Sequence, residues 1–188
     1  MITATAYDRH VEQLFDLLHR VTSALRAAGV EYRVIGGVAV FLYVAQRDPL
    51  SARVTRDIDL AVDRSDLTRI AEAVRPLGLA LRHTAGVDML VDSATPQARS
   101  AVHLVMVREK VRPEYAEASP GFSPPVTTEE GILLAPVADL VRMKLTSYRL
   151  KDRVHIQDLD TAGLITPEVE AALGPELRRR LAETRSAE

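Results

Sequence analysis

The 188-residue sequence contains no cysteine and no tryptophan, and aromatic residues make up only 4% of it. The absence of cysteine excludes disulfide bonds, thiolate catalysis and cysteine-based zinc sites. No stretch approaches the roughly 18 apolar residues that would span a bilayer. The first twenty residues, which include Asp8, Glu12 and Asp16, lack the basic start and continuous apolar run of a signal peptide. We therefore expect a cytoplasmic protein without a membrane segment.

An excess of charge of one sign is also missing, because the formal net charge is only −2. A nearly neutral protein does not bind nucleic acid over its whole surface, so any contact with RNA or DNA would use a local patch. Three motifs are absent as well: Gly-x-Ser-x-Gly, Gly-x-x-x-x-Gly-Lys and His-Glu-x-x-His. Their absence argues against an α/β-hydrolase, a P-loop nucleotide hydrolase and a histidine zinc site.

Hydrophobic residues make up 47% of the sequence, which is enough for a core, and their spacing indicates interleaved helices and strands. The predicted helices cover 8–28, 38–45, a segment capped by Ser65, 136–149, 151–159 and 167–180. The predicted strands cover 32–35, 57–62, 79–83, 87–91, 102–107 and, as a short edge strand, 132–134. This order predicts an α/β (α+β) fold in which helices pack on a mixed sheet. We expect a core over residues 1–135 and a helical region, residues 136–188, packed on it.

An Asp-x-Asp motif, Asp57-Ile58-Asp59, lies in the alternating segment 57–62. Side chains at positions i and i+2 of a strand share one face, so the two aspartates are predicted to project together. Two carboxylates roughly 7 Å apart repel each other, and they either stay solvated or chelate a cation. Oxygen ligands of this kind suit Mg²⁺ or Mn²⁺. Taken alone, such a pair is more often a solvated strand face.

The pair Gly36-Gly37 follows a predicted strand and begins a predicted helix. Backbone N–H groups at such a helix start can hold a phosphate. A glycine pair alone is more often a tight turn. This pair precedes the acidic segment by about twenty residues, which is close enough for the two segments to form neighbouring strands of one sheet.

Lys144 lies on the apolar side of the helix predicted over 136–149. The apolar stripe consists of Val137, Leu140, Val141, Leu145 and Tyr148. A lysine in the middle of this stripe either extends its amine to solvent or pairs with an anion. The triphosphate of a nucleotide is one such anion.

The order of these features resembles the DNA-polymerase-β-type nucleotidyltransferase superfamily. The resemblance depends on Gly36-Gly37, a helix, and then Arg53-x-Thr55-x-Asp57-Ile58-Asp59-Leu60. Within that superfamily, the later runs Leu140 to Leu145, Arg149-x-Lys151-Asp152 and Asp158-Leu159 are similar to minimal bacterial nucleotidyltransferases related to AbiEii-type toxins. The matched segments extend from about residue 32 to 160.

The resemblance implies a polymerase-β-like fold and a metal-dependent enzyme. Such an enzyme transfers a nucleoside monophosphate from an NTP to a hydroxyl group of RNA, such as tRNA, or of a protein. It also implies a role in a toxin–antitoxin or phage-defence system with a cognate antitoxin. By this resemblance, Gly36, Gly37 and Thr55 bind the nucleotide, Asp57 and Asp59 bind Mg²⁺ or Mn²⁺, and Lys144 pairs with the phosphates.

One position departs from the superfamily, which usually has a third carboxylate on a later strand. His103 occupies this position in the predicted strand 102–107. One interpretation is that Asp57, Asp59 and His103 bind the metal together. Alternatively, Asp88 supplies the missing oxygen from a neighbouring strand, or catalysis is lost and a nucleotide-binding or partner-binding module remains. Asp158 resembles a late acidic residue of the toxin group.

Overall fold

The computed structural model describes residues 4–53, 55, 57–94 and 101–186, except for the side chains of residues 4–8 and 10. Seven α-helices and seven β-strands lie within these residues. The helices are α1 (Ala4–Ala27), α2 (Gly36–Arg47), α3 (Leu67–Val74), α4 (Val137–Ser147), α5 (Leu150–Thr161), α6 (Pro167–Ala171) and α7 (Pro175–Ser186). The strands are β1 (Tyr32–Ile35), β2 (Ile58–Val62), β3 (Leu79–Thr84), β4 (Val87–Asp92), β5 (Val102–Met106), β6 (Val126–Thr127) and β7 (Leu133–Leu134).

The strands form one mixed sheet in the order β3-β4-β5-β2-β1-β7-β6. The pairs β2–β5 and β1–β7 are parallel, and the other neighbouring pairs are antiparallel. In the centre of the sheet, Asp59 lies between Ile35 of β1 and His103 of β5. This register brings the acidic motif next to the end of β1, where α2 begins.

Helices cover the sheet and bury its apolar side chains. Helix α2 packs on β1 and β2, whereas α1 packs against α3, which also contacts β3. Fully buried side chains of the core include Leu18 of α1, Leu60 of β2, Leu140 of α4 and Ile156 of α5. The prediction of a mixed sheet packed with helices is therefore confirmed.

The C-terminal helices form a connected group that also contacts the core of the fold. Helix α4 packs against α2, α5, α6 and α7, and α5 packs against α2 and α7. The division of the chain into residues 1–135 and 136–188 stays a prediction. In the part of the chain that the structure describes, no helix is long and apolar enough to cross a membrane.

Two predicted helix boundaries are wrong. A side-chain cap accounts for the first difference, and a glycine followed by a proline accounts for the second. Asp63 rather than Ser65 caps the turn that leads into α3, because its carboxylate accepts the Ser65 N–H. The last helix was predicted to be continuous from Pro167, but Gly174 separates α6 from α7. Pro175 then begins α7, in keeping with the preference of proline for the first turn of a helix.

The predicted edge strand over 132–134 is also not at the edge of the sheet. Strand β7 pairs with β1 on one side and with β6 on the other. Strand β6 lies in segment 112–130, which contains four of the ten prolines and is outside the helices and strands that the sequence predicts. Its two residues, Val126 and Thr127, follow Pro124 and Pro125 and are too few to give an alternating pattern.

Candidate active site

Asp59 lies directly against the first residue of α2. A Cβ atom added to Gly36 would lie 1.9 Å from Oδ2 of Asp59 and 2.8 Å from its Cβ. Gly36 also has a φ of +70°, a left-handed conformation that side chains other than glycine disfavour. Only glycine therefore allows the helix to begin beside this carboxylate.

The second glycine gives space to Thr55 in the same way. A Cβ atom at Gly37 would lie 2.6 Å from Oγ1 of Thr55. That hydroxyl also accepts a long hydrogen bond, 3.5 Å, from the backbone N–H of Asp57. The two glycines thus allow Asp59 and Thr55 to lie against the start of α2, and Asp57 contacts Thr55. Val54 and Arg56 of this segment lie outside the described residues.

His103 lies next to Asp59 on the same face of the sheet. Its Nδ1 is 3.2 Å from Oδ1 of Asp59, and both side chains are about a quarter exposed (26% and 28%). The hydrogen bond that His103 donates to Asp59, followed by the charges of Asp59 and Asp57, raises the pKa of His103, although burial and Lys151 oppose this. The two carboxylates therefore create a negative potential that attracts a proton or another cation.

Asp88 does not join this group. It pairs with Leu104 across β4 and β5, whereas the neighbouring Met89 pairs with His103. Register partners in a sheet share a face, so Asp88 projects to the face opposite His103. Its carboxylate instead contacts Nδ1 of His83 at 2.8 Å and the guanidinium of Arg64 at 3.7 Å. The alternative in which Asp88 supplies the third oxygen is therefore wrong.

Lys144 neither extends into solvent nor stays free for a ligand. Only 9% of its side chain is exposed, and its Nζ lies 3.3 Å from Oδ1 of Asp152, which is fully buried. Burial lowers the pKa of Lys144, whereas the negative charges of Asp152 and Asp59 oppose this effect. The anion that Lys144 contacts is thus a carboxylate of the same chain.

Asp152 joins α4 to the start of α5. Its Oδ2 accepts hydrogen bonds from Nε of Arg149 at 2.7 Å and from the hydroxyl of Ser147 at 2.8 Å. Burial alone would raise its pKa, but the hydrogen bond from Arg149 and the charge of Lys144, together with the other contacts, lower the pKa of Asp152 to about 2. Asp152 therefore stays ionised and holds the two helices together.

One face of α5 lies along the segment that carries the acidic motif. Lys151, His155 and Asp158 are spaced four and three residues apart, so they share this face. Asp158 forms an ion pair at 3.0 Å with Arg53, which lies a few residues before Asp59. Burial, followed by the charge of Lys144, lowers the pKa of His155 to about 4, and Asp59 acts in the opposite direction.

The sequence prediction gave Asp152 and His155 no role in the site, although Asp152 belongs to the run Arg149-x-Lys151-Asp152 that carries the resemblance. Nδ1 of His155 is buried and has no hydrogen-bond partner among the described residues. The spacing of Lys151, His155 and Asp158 was a usable signal for a common helix face. The contact of Asp152 with Arg149 has the helical spacing of three residues, but its contact with Lys144 has no comparable signal, because Lys144 lies on the preceding helix.

The available donors suit a magnesium ion that arrives with a nucleotide better than an ion held by the protein alone. Among the described residues, no three Asp, Glu, His or Cys side chains come together as a metal site, so Asp57, Asp59 and His103 do not form the expected set of three ligands. Magnesium is commonly bound by one or two carboxylates together with substrate phosphates and water. Asp57 and Asp59 fit that arrangement.

The sequence matches no protein-family model and no curated protein. Solved structures, however, resemble it over nearly its whole length. The solution structure of the antibiotic-resistance factor ANT(2'')-Ia has a TM-score of 0.59 at 14% identity, covering 94% of this chain and 95% of that one. The crystal structure of ANT(2'')-Ia in complex with adenylyl-2''-tobramycin has a TM-score of 0.53, also at 14% identity, covering 94% of this chain and 98% of that one.

A third similar structure is an antigenic nucleotidyltransferase-like protein from Paracoccidioides brasiliensis. Its TM-score is 0.59 at 18% identity, and the similarity covers 94% of this chain and 88% of that one. Identities this low establish the fold and leave the activity open. The nearer resemblance to AbiEii-type toxins stays a prediction. The chain has the nucleotidyltransferase fold.

Proposed function

We propose that this protein is a metal-dependent nucleotidyltransferase that transfers a nucleoside monophosphate from an NTP to a hydroxyl group. The observation that carries the proposal is the position of Asp59, which lies against the glycine start of α2 and beside His103, with Asp57 close by. In a nucleotidyltransferase fold, this combination provides oxygen ligands for a metal next to backbone N–H groups suited to phosphate.

In the proposed reaction, the acceptor oxygen forms a bond to the α-phosphorus. The bond from that phosphorus to the bridging oxygen breaks, and pyrophosphate leaves. Asp57 and Asp59 would hold Mg²⁺ or Mn²⁺, which supplies charge stabilisation for the attacking and leaving oxygens. Gly36, Gly37 and Thr55 would position the nucleotide at the start of α2.

His103 is the residue of this chain best suited to receive the acceptor's proton. A neutral imidazole that donates its Nδ1–H to Asp59 keeps a lone pair on Nε2. A general base needs such a lone pair within reach of the hydroxyl. Asp59 would then orient His103 in addition to its role as a metal ligand.

A second candidate function is favoured by the same histidine. The hydrogen bond to Asp59 raises the pKa of His103, which favours the positively charged form of the imidazole beside that carboxylate. A proton at this place competes with a metal ion for the carboxylate. In that case the protein is a catalytically inactive module that binds a nucleotide or a partner.

Label transfer separates these two candidates. The protein is incubated with Mg²⁺ or Mn²⁺, each labelled NTP, and total tRNA or cell lysate. Transfer that is lost in Asp57→Asn and Asp59→Asn but kept in Asp88→Asn supports the enzyme, because Asp88 is a matched acid on the other face of the sheet. NTP binding without transfer, followed by a gain of transfer in His103→Asp, supports the inactive module. Absence of NTP binding contradicts both candidates.

We propose an uncharged or anionic acceptor, such as tRNA or a protein. Arg149, Leu150 and Lys151 lie at the start of α5, and Arg149 and Lys151 act electrostatically on Asp59 and His103. The positive charges of Arg149 and Lys151 at the start of α5 favour an acceptor that carries negative charge, such as tRNA. Transfer to tRNA or protein is the expected result, and tobramycin, part of the ligand in one ANT(2'')-Ia structure, serves as the comparison acceptor.

The remaining expectations concern where the protein acts and with what partner. A reaction that consumes NTPs belongs in the compartment that supplies them, so the proposed location is the cytoplasm. A cognate antitoxin, as in AbiEii-type systems, is the proposed partner. Growth arrest on expression of the protein, relieved by the product of a neighbouring gene, would support this proposal, and normal growth would count against it.

A further inference from the structure

Lys144, which sequence reasoning assigned to the phosphates, is engaged elsewhere. Its amine lies 3.3 Å from the carboxylate of Asp152, which has no exposed surface, and Lys144 itself is almost fully buried. Moving the amine towards a ligand would remove one of the positive charges that stabilise the buried carboxylate of Asp152, which is unfavourable. Another cation must therefore serve a triphosphate bound beside Asp57 and Asp59.

Lys151 has the properties that Lys144 lacks. It lies in the first turn of α5, it is exposed, and no carboxylate within the described ranges forms an ion pair with it. Two contacts hold the helix that carries it. The Lys144–Asp152 pair joins its first turn to α4, and the ion pair between Asp158 and Arg53 joins its far end to the segment before β2.

The contacts of α5 direct its Lys151 end towards the site. Asp158, near the C-terminal end of the helix, pairs with Arg53, and Lys151 lies seven residues, about two turns, nearer the start of the helix. His155, midway along this face, is influenced by the charge of Asp59, and Lys151 acts on His103. Lysine is a common ligand of phosphate, because its ammonium group is a compact charge with three donors.

We propose that Lys151, and not Lys144, binds the outer phosphates of the NTP, whereas the Lys144–Asp152 pair positions α5. This inference rests on the proposed function. It assigns the phosphate contact to the exposed lysine on the face of α5 that also carries His155 and Asp158. The nucleoside and the α-phosphate lie nearer to Asp57 and Asp59 in this arrangement, so Lys151 distinguishes an NTP from the corresponding NMP.

The test compares binding of ATP, GTP, CTP and UTP with that of the four NMPs in the presence of MgCl₂, by titration calorimetry. The variants are Lys151→Ala, Lys151→Arg and, as a matched control, Arg153→Ala, which changes an exposed cation of the same helix that lies over the Tyr148 ring. We expect Lys151→Ala to weaken NTP binding about tenfold and NMP binding less than about twofold. Lys151→Arg should restore most of the affinity, and Arg153→Ala should change neither affinity.

Three outcomes would overturn the inference. Unchanged NTP affinity in Lys151→Ala would exclude the contact, as would an equal loss for NTP and NMP. Loss of NTP selectivity in a folded Lys144→Met variant, with Lys151→Ala unaffected, would return the role to Lys144. Failure of the wild-type protein to bind any of the four NTPs is a different result, because it contradicts the proposed function itself.

Discussion

The position of Asp59 against α2 predicts a specific defect in Gly36→Ala. The new methyl group would lie 1.9 Å from the carboxylate oxygen and 2.8 Å from Cβ of Asp59, so the whole side chain, and not only its end, would have to move. Movement of this size breaks the 3.2 Å contact between Asp59 and His103. We therefore expect the variant to lose both stability and the geometry of the site.

Gly29→Ala separates these two effects. Gly29 has a φ of +65°, close to the +70° of Gly36, but no atom lies within 4 Å of a Cβ placed there. A left-handed alanine costs about 1–2 kcal/mol at either position. Gly36→Ala additionally loses a hydrogen bond of Asp59, which contributes about 0.5–1.5 kcal/mol. Gly36→Ala should thus be less stable than Gly29→Ala by at least about 1 kcal/mol, because displacing Cβ of Asp59 adds a steric cost to the lost hydrogen bond.

Two measurements check this prediction. Urea unfolding gives the free energy of unfolding of both variants, and titration calorimetry gives their affinity for NTP in MgCl₂. Gly29→Ala should bind like the wild type, whereas Gly36→Ala should bind at least about tenfold more weakly. Equal stability of the two variants together with normal binding by Gly36→Ala would refute the close approach of Asp59 to α2.

The other predictions concern α4 and α5. Lys144→Met should lower the free energy of unfolding, measured by urea titration, by about 3 kcal/mol. This loss is near the lower limit of the range for a broken buried ion pair, because Arg149 still contacts Asp152. An unchanged free energy of unfolding would contradict a stabilising Lys144–Asp152 pair. The pKa of His155 is about 4 in the folded protein and about 6.5 in the unfolded protein. Between these values the unfolded state binds a proton that the folded state does not, so the free energy of unfolding decreases as the pH falls from 6.5 towards 4. His155→Gln should remove about 3 kcal/mol of that fall, and parallel curves for the two proteins would count against it. Asp158→Asn should change stability by less than about 1 kcal/mol, because its arginine partner is 68% exposed, and a larger loss would indicate a further contact.

The local part of the site could be predicted from the sequence, because each signal depends on neighbours in the chain. A pair of aspartates two positions apart and a glycine pair after a short strand require no knowledge of the sheet. The structure places Asp57 immediately before β2 instead of in it, but both carboxylates still act on His103. The proximity of Gly36 to Asp59 follows from the antiparallel pairing of β1 and β2.

The roles of His103 and Asp88 depend on strand register, which the sequence does not determine. Both residues lie on strands next to one another, and both were candidates for the missing third ligand. A shift of one residue in the pairing of β4 with β5 would exchange the faces of Asp88 and Met89. Local patterns cannot detect such a shift, because each residue has an apolar neighbour on either side that can occupy the core.

Lys144 shows how one helix boundary changes the interpretation of a charged residue. The sequence predicted a single helix to Arg149, on which Lys144 has no acidic neighbour on its own face. In the structure, Tyr148 adopts a left-handed conformation (φ 50°) that ends α4, and the chain turns so that Asp152 returns to Lys144. The negative charge that the lysine requires is thus supplied by the fold before any ligand binds. Binding of a triphosphate therefore depends on cationic side chains that form no ion pair within the described residues. For this reason we predict that Lys151, and not Lys144, binds the phosphates.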